Sequence, residues 1–291
     1  MKIAIHGKKI TKNISPCLED LFQILAEFKV EIGVSTEYRK ELRNTGFDLE
    51  GISSFELGDD LREYNFILSV GGDGTMLDTV TYSGSYQIPI VGINVGRLGF
   101  LATTPRDEIS RAIGDLHKGN YKIASRSLIH VDSDVALFDS FNFGLNELTI
   151  VKKETSSMIV VHTYVDGEFL NSYWADGLIV STPTGSTGYS LSCGGPLVDP
   201  SLKNFILTPV SPHNLNVRPM IVSDESEITF KIEGRTKRFM VSLDSRSCSV
   251  DDSVEISVRK EAFDAKLVQF DGYEYFETLR NKLNWGVDAR N

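Results

Sequence analysis

The first 120 residues alternate between short apolar runs and stretches whose apolar positions recur every three or four residues. Residues 2–6 read as a short strand. Ser15-Pro16 predicts a helix start, with Ser15 as cap, Pro16 at the first helical position, and Glu19 and Asp20 in the first turn. Leu18, Leu21, Phe22, Leu25 and Phe28 then share one helical face. Phe66-Ile67-Leu68-Ser69-Val70 predicts a buried strand, and Met76, Leu77 and Val80 a helix leaving the turn behind it. Residues 88–94 predict another buried strand. Thr104-Pro105, with Asp107, predicts the start of a helix carrying Ile109, Ala112, Ile113 and Leu116. Such alternation implies a parallel sheet covered by helices.

After Gly119 the helical spacing disappears. Short alternating or β-branched runs at 157–165, 178–182, 220–223, 227–233 and 238–243 are broken by turn residues. Asp166-Gly167 between two such runs predicts a tight hairpin. A helical stretch returns at the end, with Phe276, Leu279 and Leu283 on one face. The expected fold is α/β plus all-β: a Rossmann-like α/β domain with a parallel sheet over 1–120 and a β-sandwich-like domain over 121–262. A tail over 263–291 is expected to pack back on the first domain, with a cleft between the two.

Composition narrows the function. The chain of 291 residues is 41% hydrophobic and 24% charged, an ordinary globular mixture. Thirty basic against 40 acidic residues give a formal charge of −10, which argues against a non-specific nucleic-acid or anionic-membrane binder. The start has no apolar core of a signal peptide, and the most apolar stretch, 88–102, is interrupted by Asn94 and Arg97. Three cysteines, at 17, 193 and 248, have neither CxxC nor metal-ligand spacing. The expectation is a cytoplasmic protein with reduced thiols.

The strand at 66–70 empties into Gly71-Gly72-Asp73-Gly74-Thr75. Glycines let backbone N–H groups approach phosphate oxygens, whereas a carboxylate among them repels an anion. Its presence suggests a group organising a nucleophile or a metal, hence a phosphotransferase; helix capping by Asp73 is the simpler alternative. There is neither a P-loop nor the GxGxxG dehydrogenase fingerprint. A second glycine cluster, Gly92 to Gly99 with Arg97, follows the next strand, where loops at neighbouring strand ends line one crevice. In the second half, Asn146-Glu147, Asp176-Gly177 and the almost uncharged run from Ser181 to Ser192 offer small donors and acceptors suited to ribose and base edges, with Tyr189 able to pack on a ring. His213, between Pro212 and Asn214, reads as a loop histidine, and Cys193 as small-residue packing.

The chain resembles the NAD kinases along nearly its whole length. The motifs are Gly-Gly-Asp-Gly-Thr-Met-Leu at 71–77, Gly-Ile-Asn-Val-Gly-Arg-Leu-Gly-Phe-Leu at 92–101, Asn146-Glu147 and Ala175-Asp176-Gly177. Thr182-Pro183-Thr184-Gly185-Ser186-Thr187, Ser211-Pro212-His213 with Arg218-Pro219, and a tail running from Leu279-Arg280 to Asn284-Trp285-Gly286 continue them. The first loop is shared with diacylglycerol-type lipid kinases and phosphofructokinases; the later motifs single out NAD kinase.

The resemblance implies transfer of the ATP γ-phosphate to the 2′-hydroxyl of the adenosine ribose of NAD, with Mg²⁺ or another divalent cation. Asp73 would be the proton acceptor. Gly71, Gly72, Gly74 and Thr75 would serve the phosphates. Asn146, Glu147, Asp176, Thr184, Thr187, Gly188, Tyr189, Ser190, Leu191 and Ser192 would hold the dinucleotide, and Arg246, in Asp244-Ser245-Arg246, would reach toward it. No metal ligands are assigned, and a homodimer or homotetramer is implied. The chain departs from many members in having Trp174 two positions before Asp176, where Arg is frequent, and Gly188 in place of Ala. A lipid kinase and a non-catalytic dinucleotide sensor are the rival readings.

Overall fold

Ile3, Ala4 and Ile5 are fully buried at the centre of a mostly parallel sheet. In this computed structural model, which describes residues 1–10, 15–96, 99–153, 158–235 and 237–285, they lie on strand β1 (Lys2–Gly7). The chain continues through α1 (Ser15–Glu27), β2 (Glu31–Ser35), α2 (Thr36–Asn44), β3 (Ser53–Phe55), β4 (Phe66–Gly71) and α3 (Asp73–Ser83). Then come β5 (Ile90–Asn94), β6 (Thr104–Pro105), α4 (Ile109–Lys118) and β7 (Tyr121–Arg126). The alternating sides of β1 and β4 face different helices. Ile3, Ile5, Leu68 and Val70 pack with Leu18, Leu21 and Leu25 of α1 and Ile109, Ile113 and Leu116 of α4. Ala4 and Ile67 pack with Phe55, Tyr64 and Tyr82. Burial on both faces explains why these strands are continuously apolar rather than alternating.

A second group of strands comprises β8 (Ile129–Ser133), β9 (Phe143–Gly144), β10 (Glu147–Lys152), β11 (Ile159–Val165), β12 (Glu168–Ala175) and β13 (Gly177–Ser181). The short helix α5 (Tyr189–Ser192) precedes β14 (Asn204–Val210), β15 (Met220–Ser223), β16 (Ile228–Gly234), β17 (Arg238–Leu243), β18 (Arg246–Asp251) and β19 (Ile256–Lys260). They form two antiparallel sheets, β15-β14-β13-β10-β17-β18 and β12-β11-β16-β19-β8-β9. Alternate residues such as Leu148 and Ile150, Phe205 and Leu207, Phe230 and Ile232, and Phe239 and Val241 share one core. This is the sandwich solution to burying one face of each sheet.

The chain then returns with β20 (Ala265–Phe270) and α6 (Tyr275–Leu283). β20 enters the first sheet, whose order is β3-β2-β1-β4-β5-β20-β7 with β6 beside β5. By contacts the chain divides into unit 1, Met1–Ser125 with Ala265–Asn291, and unit 2, Arg126–Asp264. Among the described residues no helix is long and apolar enough to cross a membrane.

Three local expectations change. Thr104-Pro105 does not open a helix: it pairs with Ile93 and Asn94 as β6, a 3-10 turn follows at Arg106–Glu108, and α4 starts at Ile109. The loop before it is drawn alongside β5 by bonds described below, so Pro105 continues an extended segment. Helix α1 starts at Ser15 itself, which leaves no acidic residue in its first turn; Asp20 instead pairs with Arg106 at 2.6 Å. On α6 only Leu279 of the expected face is buried; Phe276 is 59% exposed and Leu283 36%. The Asp166-Gly167 hairpin is as expected, with φ of +53° and +79° in the two turn residues and Val165 opposite Glu168.

His6, at the end of β1, is 1% exposed. Its Nδ1 lies 2.8 Å from Ser35 Oγ, and its ring sits 4.4 Å from that of Tyr82, while Nε2 has no hydrogen-bond partner. Burial, helped by the Lys8 charge, lowers the imidazole pKa to about 4. The unfolded chain takes up this proton near pH ~6.5 and the native state does not, so stability falls as pH drops through the window between the two values. The full effect is about 3 kcal/mol. Urea unfolding at several pH values from 7 to 4 checks this. His6→Gln is expected to flatten the acid-side loss relative to the unsubstituted chain, and equal slopes would contradict it.

Candidate functional site

In unit 1 the strand order 3-2-1-4-5 reverses direction between β1 and β4. Connections leaving a sheet on opposite sides of such a point open a crevice at the strand carboxyl ends. β4 reaches that point as Gly71, and Gly72 occupies the N-cap position of α3. The N–H groups of Thr75 and Met76 turn back to the Gly72 carbonyl at 3.0 and 3.1 Å. The positive end of α3 therefore faces this loop, an arrangement that favours an anion.

Asp73 does not cap the helix. It is the first residue of α3, and its carboxylate points across to the second glycine cluster. Oδ2 accepts the N–H of Phe100 at 2.8 Å; Oδ1 accepts those of Leu101 and Ala102 at 3.0 and 3.1 Å. Asn94 completes the anchorage, donating from Nδ2 to the Ala102 carbonyl at 3.1 Å and accepting the Gly96 N–H at 2.8 Å. A Cβ on Gly99 would lie 1.9 Å from Asp73 Oδ1, so only glycine lets the chain pass this close. The two glycine loops are thus one device, joined through the acid that first marked the sequence. Arg97, in the second glycine cluster, lies outside the described residues.

Unit 2 gathers the remaining sequence-predicted residues. Thr182 donates its N–H to the Asn146 carbonyl at 2.8 Å and its hydroxyl to the Leu145 carbonyl at 2.6 Å. Gly185 packs so closely that an added Cβ would fall 2.1 Å from the Asn146 carbonyl oxygen. A 3-10 turn at Thr184–Thr187 leads through Gly188 into α5. Thr184 is buried, and its carbonyl accepts the Thr187 hydroxyl at 3.2 Å. Ser190 is fully buried, bonded through Oγ to Thr208 Oγ1 at 2.8 Å, so its side chain serves the scaffold. Tyr189 and Ser192 are exposed and Leu191 is half-buried. Asp176 pairs with Lys152 at 2.6 Å, and its charge reaches Tyr189. Trp174 is 56% exposed, and His213 is an exposed loop residue whose N–H donates to the Trp174 carbonyl at 2.8 Å.

Two acceptors stand out. Asn146 Oδ1 and Glu147 Oε2 are shielded from solvent and have no hydrogen-bond partner. Burial, with the nearby Asp244 charge, pushes the Glu147 carboxyl up to about 8, against an opposing bond from the Tyr189 N–H. Burial also raises the Cys193 thiol, which therefore stays protonated and poorly nucleophilic.

Asp244 is a structural acid, a role that its residue type does not mark. It accepts the N–H groups of Leu145, Asn146 and Glu147 at 2.7, 2.8 and 3.1 Å. Arg246, expected to reach a ligand, donates from Nη1 and Nη2 to the carbonyls of Phe141 and Phe143 and lies 5.9 Å from the Phe138 ring centre. The resemblance singles out Arg246 of the Asp244-Ser245-Arg246 stretch and gives Asp244 no role of its own. Among the described residues no three His, Cys, Asp or Glu side chains converge to hold a metal.

Two family models match the chain: the ATP-NAD kinase N-terminal domain over residues 3–121 and the ATP-NAD kinase C-terminal domain over 145–270. The chain is similar to an NAD kinase of Cytophaga hutchinsonii, 51% identical with 100% of both chains covered. It is 40% identical to one of Flavobacterium johnsoniae, again over 100% of both. Its fold is similar to that of a yeast NADH kinase solved with NADH, at a TM-score of 0.84 and 23% identity, covering 99% of this chain and 89% of that one. It is similar too to an Archaeoglobus fulgidus NAD kinase solved with ATP, at a TM-score of 0.73 and 27% identity, covering 98% and 99%. With a family model on each half and a relative matched end to end, the chain belongs to the NAD kinase family.

Proposed function

We infer that this chain is an ATP-dependent NAD kinase, transferring the γ-phosphoryl group of ATP to the 2′-hydroxyl of the adenosine ribose of NAD to give NADP and ADP. The observation that carries the reading is the pair of shielded, unpartnered polar atoms on Asn146 and Glu147, packed against the hydroxyl-rich 182–192 segment. Buried polar atoms without partners are costly, and a ribose hydroxyl, both donor and acceptor, would relieve that cost at the Asn146 oxygen and at the Glu147 carboxyl alike. Thr184, Thr187, Gly188, Tyr189, Leu191, Ser192 and Asp176 complete the proposed dinucleotide contacts, with Ser190 acting from behind through Thr208. Arg246 belongs with them through the carbonyls that it holds.

In unit 1, Gly71, Gly72, Gly74 and Thr75 at the start of α3 offer backbone donors to phosphate oxygens. Asp73 is the proposed proton acceptor. Its Oδ2 carries one N–H bond, so a second acceptor position on that oxygen is open to a hydroxyl. In a loose phosphoryl-transfer transition state the nucleophile needs little activation until late. Asp73 then orients the 2′-hydroxyl and takes its proton as the bond to phosphorus forms. The glycine loop holds the phosphate in line, which supplies most of the acceleration. A divalent cation such as Mg²⁺ would neutralise phosphate charge. Among the described residues none form a protein cage for one, so it would be held on nucleotide oxygens and water.

The same reading extends to a cytoplasmic enzyme that self-associates as a homodimer or homotetramer. The free cysteines and the half-exposed Met220 and Ile221 on the edge strand β15 support it.

Mixing the protein with ATP, Mg²⁺ and NAD, and detecting NADP with an NADP-specific dehydrogenase, tests the activity. NADP should form in proportion to enzyme. No NADP with NAD binding intact would leave a sensor, and a phosphorylated diacylglycerol in a parallel reaction would leave a lipid kinase. Asp73→Asn is expected to lower kcat by roughly 10²–10⁴-fold with NAD affinity little changed; near-normal kcat would remove Asp73 from the mechanism. Gly99→Ala should lower kcat through the same contact, and the double variant should cost no more than the larger single loss. Additive losses would show that loop and acid act independently.

A further inference from the structure

The hairpin turn between β17 and β18 grips residues 141–147 from both polar sides. Asp244 Oδ2 accepts the Leu145 N–H, and Oδ1 those of Asn146 and Glu147. Two residues on, Arg246 donates to the carbonyls of Phe141 and Phe143. Asp244 has φ of +52°, a left-handed conformation uncommon outside glycine, which turns its carboxylate back onto the chain. Three convergent N–H groups form a nest of the kind that binds anions, and here the anion is the protein's own side chain. The arrangement leaves Glu147 Oε2, beside Gly188, and Asn146 Oδ1 without partners.

We propose that Asp244 is a positioning residue for NAD: by holding the N–H groups of residues 145–147, with Arg246 holding the carbonyls behind them, it aims Asn146 and Glu147 at the dinucleotide. This rests on the NAD kinase reading and adds a residue that the sequence did not single out. The action of Asp244 is felt in two ways. One is geometric, since all three amides of the segment end on one carboxylate. The other is electrostatic. The groups facing Glu147 are Asp244 from the hairpin turn and the Tyr189 N–H from α5, with Arg246 acting on Asp244. Burial pushes Asp244 up while its three N–H bonds and Arg246 pull it down. On balance burial raises Asp244, and Glu147 is raised by burial and then by the Asp244 charge.

The test is steady-state kinetics of the full chain and of Asp244→Asn, as a function of pH, with thermal unfolding alongside. Asn keeps one acceptor oxygen and turns an NH₂ donor toward the amides, so the segment loosens without loss of volume. KM for NAD is expected to rise about tenfold, with KM for ATP within about twofold. The alkaline limb of kcat/KM for NAD that reports Glu147 should move down by roughly half a unit or more once the neighbouring charge is gone. A purely structural role would lower the amount of active enzyme, and hence apparent kcat, and leave KM and the limb in place; that result overturns the proposal.

Should Asp244→Asn not fold, Gly144→Ala carries the test. Its Cβ would lie 3.0 Å from Asp244 Oδ2 and 2.8 Å from a Leu243 methyl, displacing the carboxylate from beside the segment. The same selective rise in KM for NAD is expected, and an unchanged KM overturns the proposal. Absence of NADP formation by the unsubstituted chain would instead defeat the NAD kinase reading, which keeps the two failures apart.

Discussion

A carboxylate that collects three consecutive backbone N–H groups is the interaction on which the candidate site depends, and it occurs once in each unit. Asp73 holds residues 100–102 and Asp244 holds residues 145–147. In both cases a glycine precedes the three donors, Gly99 in one and Gly144 in the other, where a side chain would run into the acid. Hydrogen bonds to a charged group contribute about 1.5–3 kcal/mol each, and an ionised acid in a buried place is tolerable only when satisfied in this way. The acid fixes a segment that lies in or opens from a loop, and the segment fixes the acid.

The consequence is precision where a loop would ordinarily be mobile. Loops carry chemistry because a rigid scaffold presents them, yet their own backbone groups must still find partners. In unit 1 that partner is the residue proposed to take the substrate proton, so orientation of the base and closure of the second glycine cluster are one structural fact. In unit 2 the carboxylate lies behind the residues proposed to face the dinucleotide. Burial, with the Asp244 charge, pushes the Glu147 carboxyl up to about 8.

What could be read from the sequence follows from the range of the forces involved. The Asp166-Gly167 hairpin was legible because both turn residues need positive φ, a local demand. The buried strands of β1, β4 and β5 were legible from their continuous apolar runs. Thr104-Pro105 misled because its extended path is imposed by bonds from Asp73 and Asn94, some ten and thirty residues away in sequence. β20 was missed because a six-residue run gives no sign that it will enter a sheet built from the first hundred residues. Periodicity put Phe276 and Leu283 on the face of Leu279, but a periodic face does not say whether anything covers it. Of the site, motif and residue chemistry pointed to the groups proposed to face a ligand. Asp244, whose partners are all backbone, left no trace in residue type.

The central claim is that these two carboxylates hold the site's loops in place. Amide hydrogen exchange of the ligand-free protein, resolved by residue, tests it most directly. The N–H groups of residues 100–102 and 145–147 should exchange far more slowly than those of the exposed loop residues Asn214 and Leu215. In Asp73→Asn, protection should fall at 100–102 while 145–147 stay as they were. Exchange of all six amides at open-loop rates in the unsubstituted chain would contradict the account.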